Sequence, residues 1–208
     1  VVNVGDTPIA YPAYVLLGMV LWQTFTDALN APTQAMLSAK ALLARVKFPH
    51  EALILAKLGE AAFDFSIKLI LLAGAFLWYG VPVGWSTFTL APLVLLDLVL
   101  LGLFVGLLLL PLALLVEDIS RGLGLATVIW FCATPVAYTD PGGGLFSLIV
   151  RLNPVTPLLS MTRHLALGHV VAATPEFWIV TAASALGTLA AWAGFRLAMP
   201  FVIERVGH

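Results

Sequence analysis

Long apolar runs decide what kind of fold this chain can adopt. An α-helix needs about 20 predominantly apolar residues to cross the hydrocarbon core of a bilayer. Five stretches qualify: Tyr11 to Leu29, Ala52 to Tyr79, Thr87 to Val116, Arg121 to Thr139 and Glu176 to Met199. The third contains Pro92 and Pro111 but is too short to cross twice, so it reads as one tilted or kinked helix. The fifth has Arg196 as its only internal charge, close enough to the end to reach the interface. The expectation is an all-α, polytopic membrane protein formed by one domain over residues 1–208.

Composition agrees. Only 10% of residues are charged and mean hydropathy is +1.04, against about 25% charged in a soluble domain. A net charge of −1 offers no basic footprint for nucleic acid. The single cysteine, Cys132, allows no internal disulfide and is expected to be a small buried packing residue.

The stretch from Asp140 to Pro175 breaks the pattern. "DPGGG" is a turn signal. Leu145 to Leu152 is too short to span, and Pro157 to Val171 carries Arg163, His164 and His169. Two short helices, broken at Asn153-Pro154 and dipping part-way into the membrane, fit this composition. Lys40, Arg45 and Lys47 follow the first span, Arg121 lies in the third connection and Arg205 in the tail. By the positive-inside rule these lie in the cytoplasm, with the N-terminus outward. An outward N-terminus without a signal pattern points to an upstream span.

Charged residues inside the spans define the next candidates. Lys57, Glu60, Asp64 and Lys68 fall in one narrow stripe of the second helix at about 100° per residue. Intramembrane charge costs about 2.5–3.5 kcal/mol per residue at mid-membrane on insertion scales. The stripe therefore faces protein or water, either as the wall of a hydrophilic path or as an ion-pair ladder. Asp97 is a candidate partner from the third span. The aromatic residues, including Trp22, Phe25, Trp78, Tyr79, Trp85, Trp130, Phe131, Tyr138 and Trp178, are expected mostly at the interfaces. Some, notably Trp22, Phe25 and Tyr138, could stack on sugar rings along a path. Residues 30–48 read as a short amphipathic cytoplasmic helix stopped by Pro49, suited to membrane lipid or to docking a partner.

Signals for catalysis are weak. There is no phosphate-cradling G-x-x-x-x-G-K-[ST] motif. His164 and His169 lack nearby cysteine or acidic ligands and make a poor metal pair. No metal, cofactor or catalytic residue is expected in this chain.

Several blocks in order, "LGMVLWQTFTDALN", "KALLARVKFPHEAL", "DFSIKLILLAGAFLWYGVP", "VEDISRGL", "TPVAYT" and "LNPVTPLLSMTRHLALG", resemble the membrane subunit of ABC-2 type exporters. The branch is that of polysaccharide and polyol phosphate permeases, which export O-antigen, capsule and teichoic acid. The resemblance implies five transmembrane helices, with a sixth, N-terminal one absent, plus two short re-entrant outer helices. It implies a coupling helix over residues 35–49, with Lys40, Arg45, Val46, Lys47, Phe48 and Pro49 contacting a separate ATPase subunit that binds ATP and Mg. It makes residues 140–175 an outer gate, with Asn153, Pro154, Arg163 and Gly168 as its key positions. Glu60, Asp64, Lys68, Asp97, Trp22, Phe25 and Tyr138 become channel-lining candidates. The implied assembly is two permease copies with two ATPase copies, moving a lipid-linked glycan out of a bacterial inner membrane, with the C-terminus cytoplasmic. The alternatives are an exporter of a drug or small lipid, an intramembrane acyl- or glycosyltransferase using Glu60, Asp64 or Asp97, and a structural subunit without cargo.

Overall fold

The computed structural model describes residues 9–39, 49–81, 84, 89–138, 143–168 and 172–206. Among these, all regular structure is α-helix: α1 Tyr11–Ser38, α2 His50–Tyr79, α3 Ala91–Leu115, α4 Glu117–Ala133, α5 Gly144–Leu152, α6 Val155–Ala166 and α7 Pro175–Val206. Three are both long and apolar enough to cross a membrane: α2, α3 and α7 as far as Met199. The bent pair α5–α6 makes a fourth if counted as one broken span. The chain is an all-α, polytopic membrane protein.

The other two expected spans form helices but do not meet that measure. α4 has 17 residues and begins with Glu117 and Asp118. α1 has 28 residues, but Gln23, Asp27, Asn30 and Gln34 lower its apolarity. α1 also runs past its expected end at Leu29. Pro32 removes one backbone donor, yet Ala31, Pro32, Ala35 and Met36 are buried, and this packing carries the helix through. Residues 35–38 of the expected coupling helix are thus the last turn of α1. Lys40, Arg45, Val46, Lys47 and Phe48 lie outside the described residues, and Pro49 caps the start of α2.

Other boundaries follow backbone chemistry. Pro92 sits in the first turn of α3, where its missing N–H costs nothing, and Pro111 is tolerated inside. α4 ends at Ala133 rather than Thr139, because Pro135 drives Thr134 into an extended conformation. α2 ends at Gly80, whose φ of 63° is left-handed.

α3 is the hub. It packs on α1, α7 and α6, while α2 leans chiefly on α1. Close approach of α1 and α3 rests on two glycines one turn apart. A Cβ on Gly102 would lie 2.5 Å from the Phe25 carbonyl oxygen, and one on Gly106 would collide with the Leu29 carbonyl oxygen. This small-xxx-small spacing lets two backbones meet where hydrophobic exclusion from water cannot drive helices together.

Candidate functional site

Burial of one side of α1 against α3 and α2 leaves the other side open. Met19, Gln23 and Gln34 are exposed, and Thr26, Asp27 and Asn30 are half-buried. Spaced three and four apart, those from Gln23 to Gln34 form a continuous polar face, with the apolar Met19 one turn before it. Gln23, Thr26 and Asn30 line a recess of about 280 Å³ against Thr127, Val128 and Phe131 of α4, with Trp22 at its edge. Thr26 Oγ1 donates to the Gln23 carbonyl (3.0 Å) and Asn30 Nδ2 to the Thr26 carbonyl (2.8 Å). Amides at membrane depth need protein or water around them.

The charged stripe of α2 divides. Lys57 pairs with Glu60 within the helix (2.7 Å), and Lys68 pairs with Asp27 of α1 (2.9 Å). Glu60 and Asp64 remain exposed. Asp97 is not the partner of this stripe. Its Oδ2 accepts from Thr181 Oγ1 of α7 (3.0 Å), because α3 turns that side to α7. At one end of the bundle Glu51 of α2 pairs with Arg196 of α7 (2.5 Å).

The aromatic residues depart from a simple interfacial belt. Trp22, Phe25, Trp130 and Phe131 form a cluster of edge-on and tilted rings between α1 and α4, with centroids 5.1–6.4 Å apart. Phe25 is fully buried in the core, so within the single chain it has no face free for a cargo. Tyr138 donates to the Cys132 carbonyl (3.0 Å) and packs on Phe146. Cys132 itself is exposed, contrary to its expected burial. α4 turns Trp130 and Phe131 toward the bundle and leaves the cysteine that follows them on its outer face. Trp78 of the α2 end is 86% exposed, as an interfacial residue should be. Trp85 and His169 lie outside the described residues.

α5 and α6 form the expected broken pair, bent by 81° at Asn153-Pro154. Asn153 is the joint. Its Oδ1 accepts from Trp130 Nε1 (2.9 Å) and from the Val155 N–H (3.1 Å), while Nδ2 donates to Thr134 Oγ1 (2.7 Å) and the Ala133 carbonyl (3.4 Å). Pro154 starts α6 in helical geometry. Arg163, 7% exposed, donates to Tyr14 Oη (2.6 Å) and to the carbonyls of Pro135 (3.2 Å) and Val136 (2.8 Å), with its guanidinium 3.9 Å from the Tyr14 ring centre. No carboxylate reaches it among the described residues. The frayed end of α4 supplies carbonyls that a guanidinium can satisfy, and Tyr14 adds cation–π attraction. Gly18 makes room for this contact, since a Cβ there would overlap Arg163 Nη2 and the Val136 carbonyl oxygen. Gly168, at φ 77°, stops α6. Asn153 and Arg163 thus grip the same segment, residues 133–136.

Sequence reading by charge alone missed three features: the amide and hydroxyl face of α1, the Gly102/Gly106 crossing, and Tyr14 and Gly18 around Arg163. The first two were visible as spacings of three and four within apolar runs.

The fold and these sites define a multi-pass α-helical membrane protein with a polar helix face and a polar-anchored, sharply bent pair of short helices. No family profile matches the chain. A curated relative, the O-antigen export system permease protein RfbA of Myxococcus xanthus, is 24% identical over 186 residues, covering 88% of this chain and 70% of that protein. The resemblance to ABC-2 polysaccharide-export permeases, carried by the quoted blocks, accords with that similarity.

Proposed function

We propose that this chain is the permease subunit of an ATP-driven exporter. Its cargo is a lipid-linked polysaccharide or similar cell-envelope polymer crossing a bacterial inner membrane. The observation that carries the reading is the similarity to an O-antigen export permease along 88% of the chain. The re-entrant hairpin supports it, because its break falls at Asn153-Pro154. In this reading two copies bring their α1 polar faces to a shared hydrated path, and the α5–α6 pair gates its outer mouth. Gln23, Thr26, Asn30 and Thr127 offer neutral hydrogen-bonding groups to a passing glycan. The chain is a transport subunit and not an enzyme. A separate ATPase subunit binds ATP and Mg and docks on residues 40–49, and the C-terminus lies in the cytoplasm.

Deleting the gene should trap lipid-linked polymer inside the cell and strip it from the surface. Normal surface polymer in the deletion strain would refute the reading. Replacing Arg45 and Lys47 by Glu should abolish co-purification of the ATPase while the permease still inserts.

One observation favours a second reading, export of a small lipid or drug. An apolar cleft of about 770 Å³ opens between α1, α2 and α3, lined by Leu21, Leu72, Phe76 and Leu95 and reaching Thr162 of α6. Normal surface polymer with altered membrane lipid in the deletion strain would decide for it.

A further inference from the structure

The α5–α6 hairpin has a second polar side that the clasp on α4 does not use. Leu158, Leu159, Thr162, Arg163 and Leu165 of α6 are buried toward the bundle. Ser160 and His164, one turn apart, point the other way and line a recess of about 380 Å³. Arg151 at the end of α5 and Thr174, Glu176 and Phe177 at the start of α7 close it. Three separate elements thus converge on one concavity. Arg151 and Glu176 bring opposite formal charges to the same lining.

The donor and acceptor set is mixed. A guanidinium only donates, a carboxylate only accepts, and the hydroxyls and imidazole do both. With neutral histidine the formal charges of Arg151 and Glu176 cancel. A phosphate would meet Glu176 and an amine would meet Arg151, so neither ion is favoured. A ligand with several neighbouring hydroxyls, each both donor and acceptor, matches the set. Met161, half-buried at the recess, adds apolar surface for the C–H face of a ring. At about 30 Å³ per water-sized group, the recess accommodates on the order of a dozen heavy atoms, the size of one hexose.

We propose that this recess is a saccharide-binding subsite that holds one neutral hexose-like unit of a glycan beside the hairpin. It rests on the glycan-export reading for the source of its ligand and adds where one unit is held. Arg151 and Glu176 bind hydroxyl groups of the ring, Ser160 and His164 bind from α6, and Met161 contacts its apolar face.

The probes are methyl α-D-glucopyranoside, methyl α-D-mannopyranoside and methyl α-L-rhamnopyranoside, measured by saturation-transfer NMR on the full chain in nanodiscs. At least one should receive saturation on its ring protons. Ser160→Trp, which fills the recess, should abolish the signal, and Arg151→Gln should weaken binding about ten-fold through loss of a charge-assisted hydrogen bond. Absence of transfer to all three glycosides, or equal signals in wild type and both variants, overturns the subsite. Surface polymer is measured in parallel in cells. Export without glycoside binding sinks the subsite alone, and glycoside binding without export sinks the exporter reading alone.

Discussion

Replacing Gly106 by Ala should destabilise the protein, although alanine is the better helix former. The added Cβ would collide with the Leu29 carbonyl oxygen and sit 3.1 Å from its carbonyl carbon. Carbon atoms pack comfortably at about 3.5–4.0 Å, so α1 and α3 must separate by roughly 1 Å. Neither atom belongs to a flexible side chain that could swing aside. Overpacking of this kind costs about 1–3 kcal/mol, and the helix-propensity gain of about 1 kcal/mol offsets part of it. The net expectation is a loss of up to about 2 kcal/mol. Gly74 on α2 is the control, because a Cβ there meets no heavy atom within 4 Å. Gly74→Ala should be neutral or stabilising by up to about 1 kcal/mol. Thermal unfolding of the purified full chain in detergent, followed by tryptophan fluorescence, compares the two. A Gly106→Ala midpoint at or above that of Gly74→Ala would refute the packing argument.

Asn153→Leu should cost about 2–4 kcal/mol, because it strands the Trp130 indole N–H and the Val155 N–H; the near-ultraviolet circular dichroism of Trp130 should change with the unfolding midpoint. Asp27→Lys and Lys68→Asp should each lower stability by up to about 1 kcal/mol, the pair being part-exposed, and the double swap should recover most of the loss in the same thermal assay. In a Cys132→Ser background, Gln23→Cys should react with a water-soluble maleimide in the assembled transporter, whereas Leu98→Cys, fully buried, should not. Protection of Gln23→Cys in every transport state would mean that the α1 face is sealed by protein rather than wetted.

Hydrophobic run length made the helices readable before any coordinates, because lipid tolerates few alternatives for a long apolar segment. The broken hairpin was readable for a related reason: Asn153-Pro154 cannot continue a helix, and Arg163 forbids a simple span. The termini of α1 and α4 were not. Pro32 is passed because of tertiary burial, and Pro135 acts one residue upstream through sterics, effects of opposite sign from the same residue type. Pairing was the least legible level. Lys68 could have met any acid brought near it, and the choice of Asp27 over Asp97 depends on α2 leaning on α1 rather than on α3. Likewise the sequence marks Arg163 as needing partners but cannot say that backbone carbonyls at the end of α4 and the Tyr14 hydroxyl will serve.

The Asp27–Lys68 pair also bears on how the protein is made. Synthesis runs from α1 to α2, so the insertion machinery meets Gln23, Asp27 and Asn30 forty-odd residues before Lys68 emerges. α1 is less apolar than α2 and falls short of the length-and-apolarity measure that α2 meets. α2 is apolar enough to commit, and it carries the ammonium that neutralises the one acid in the middle of its predecessor. The two helices are thus expected to leave the translocon as a hairpin. Lys68 then acts first on the topology of a nascent chain and only afterwards as a contact in the finished bundle.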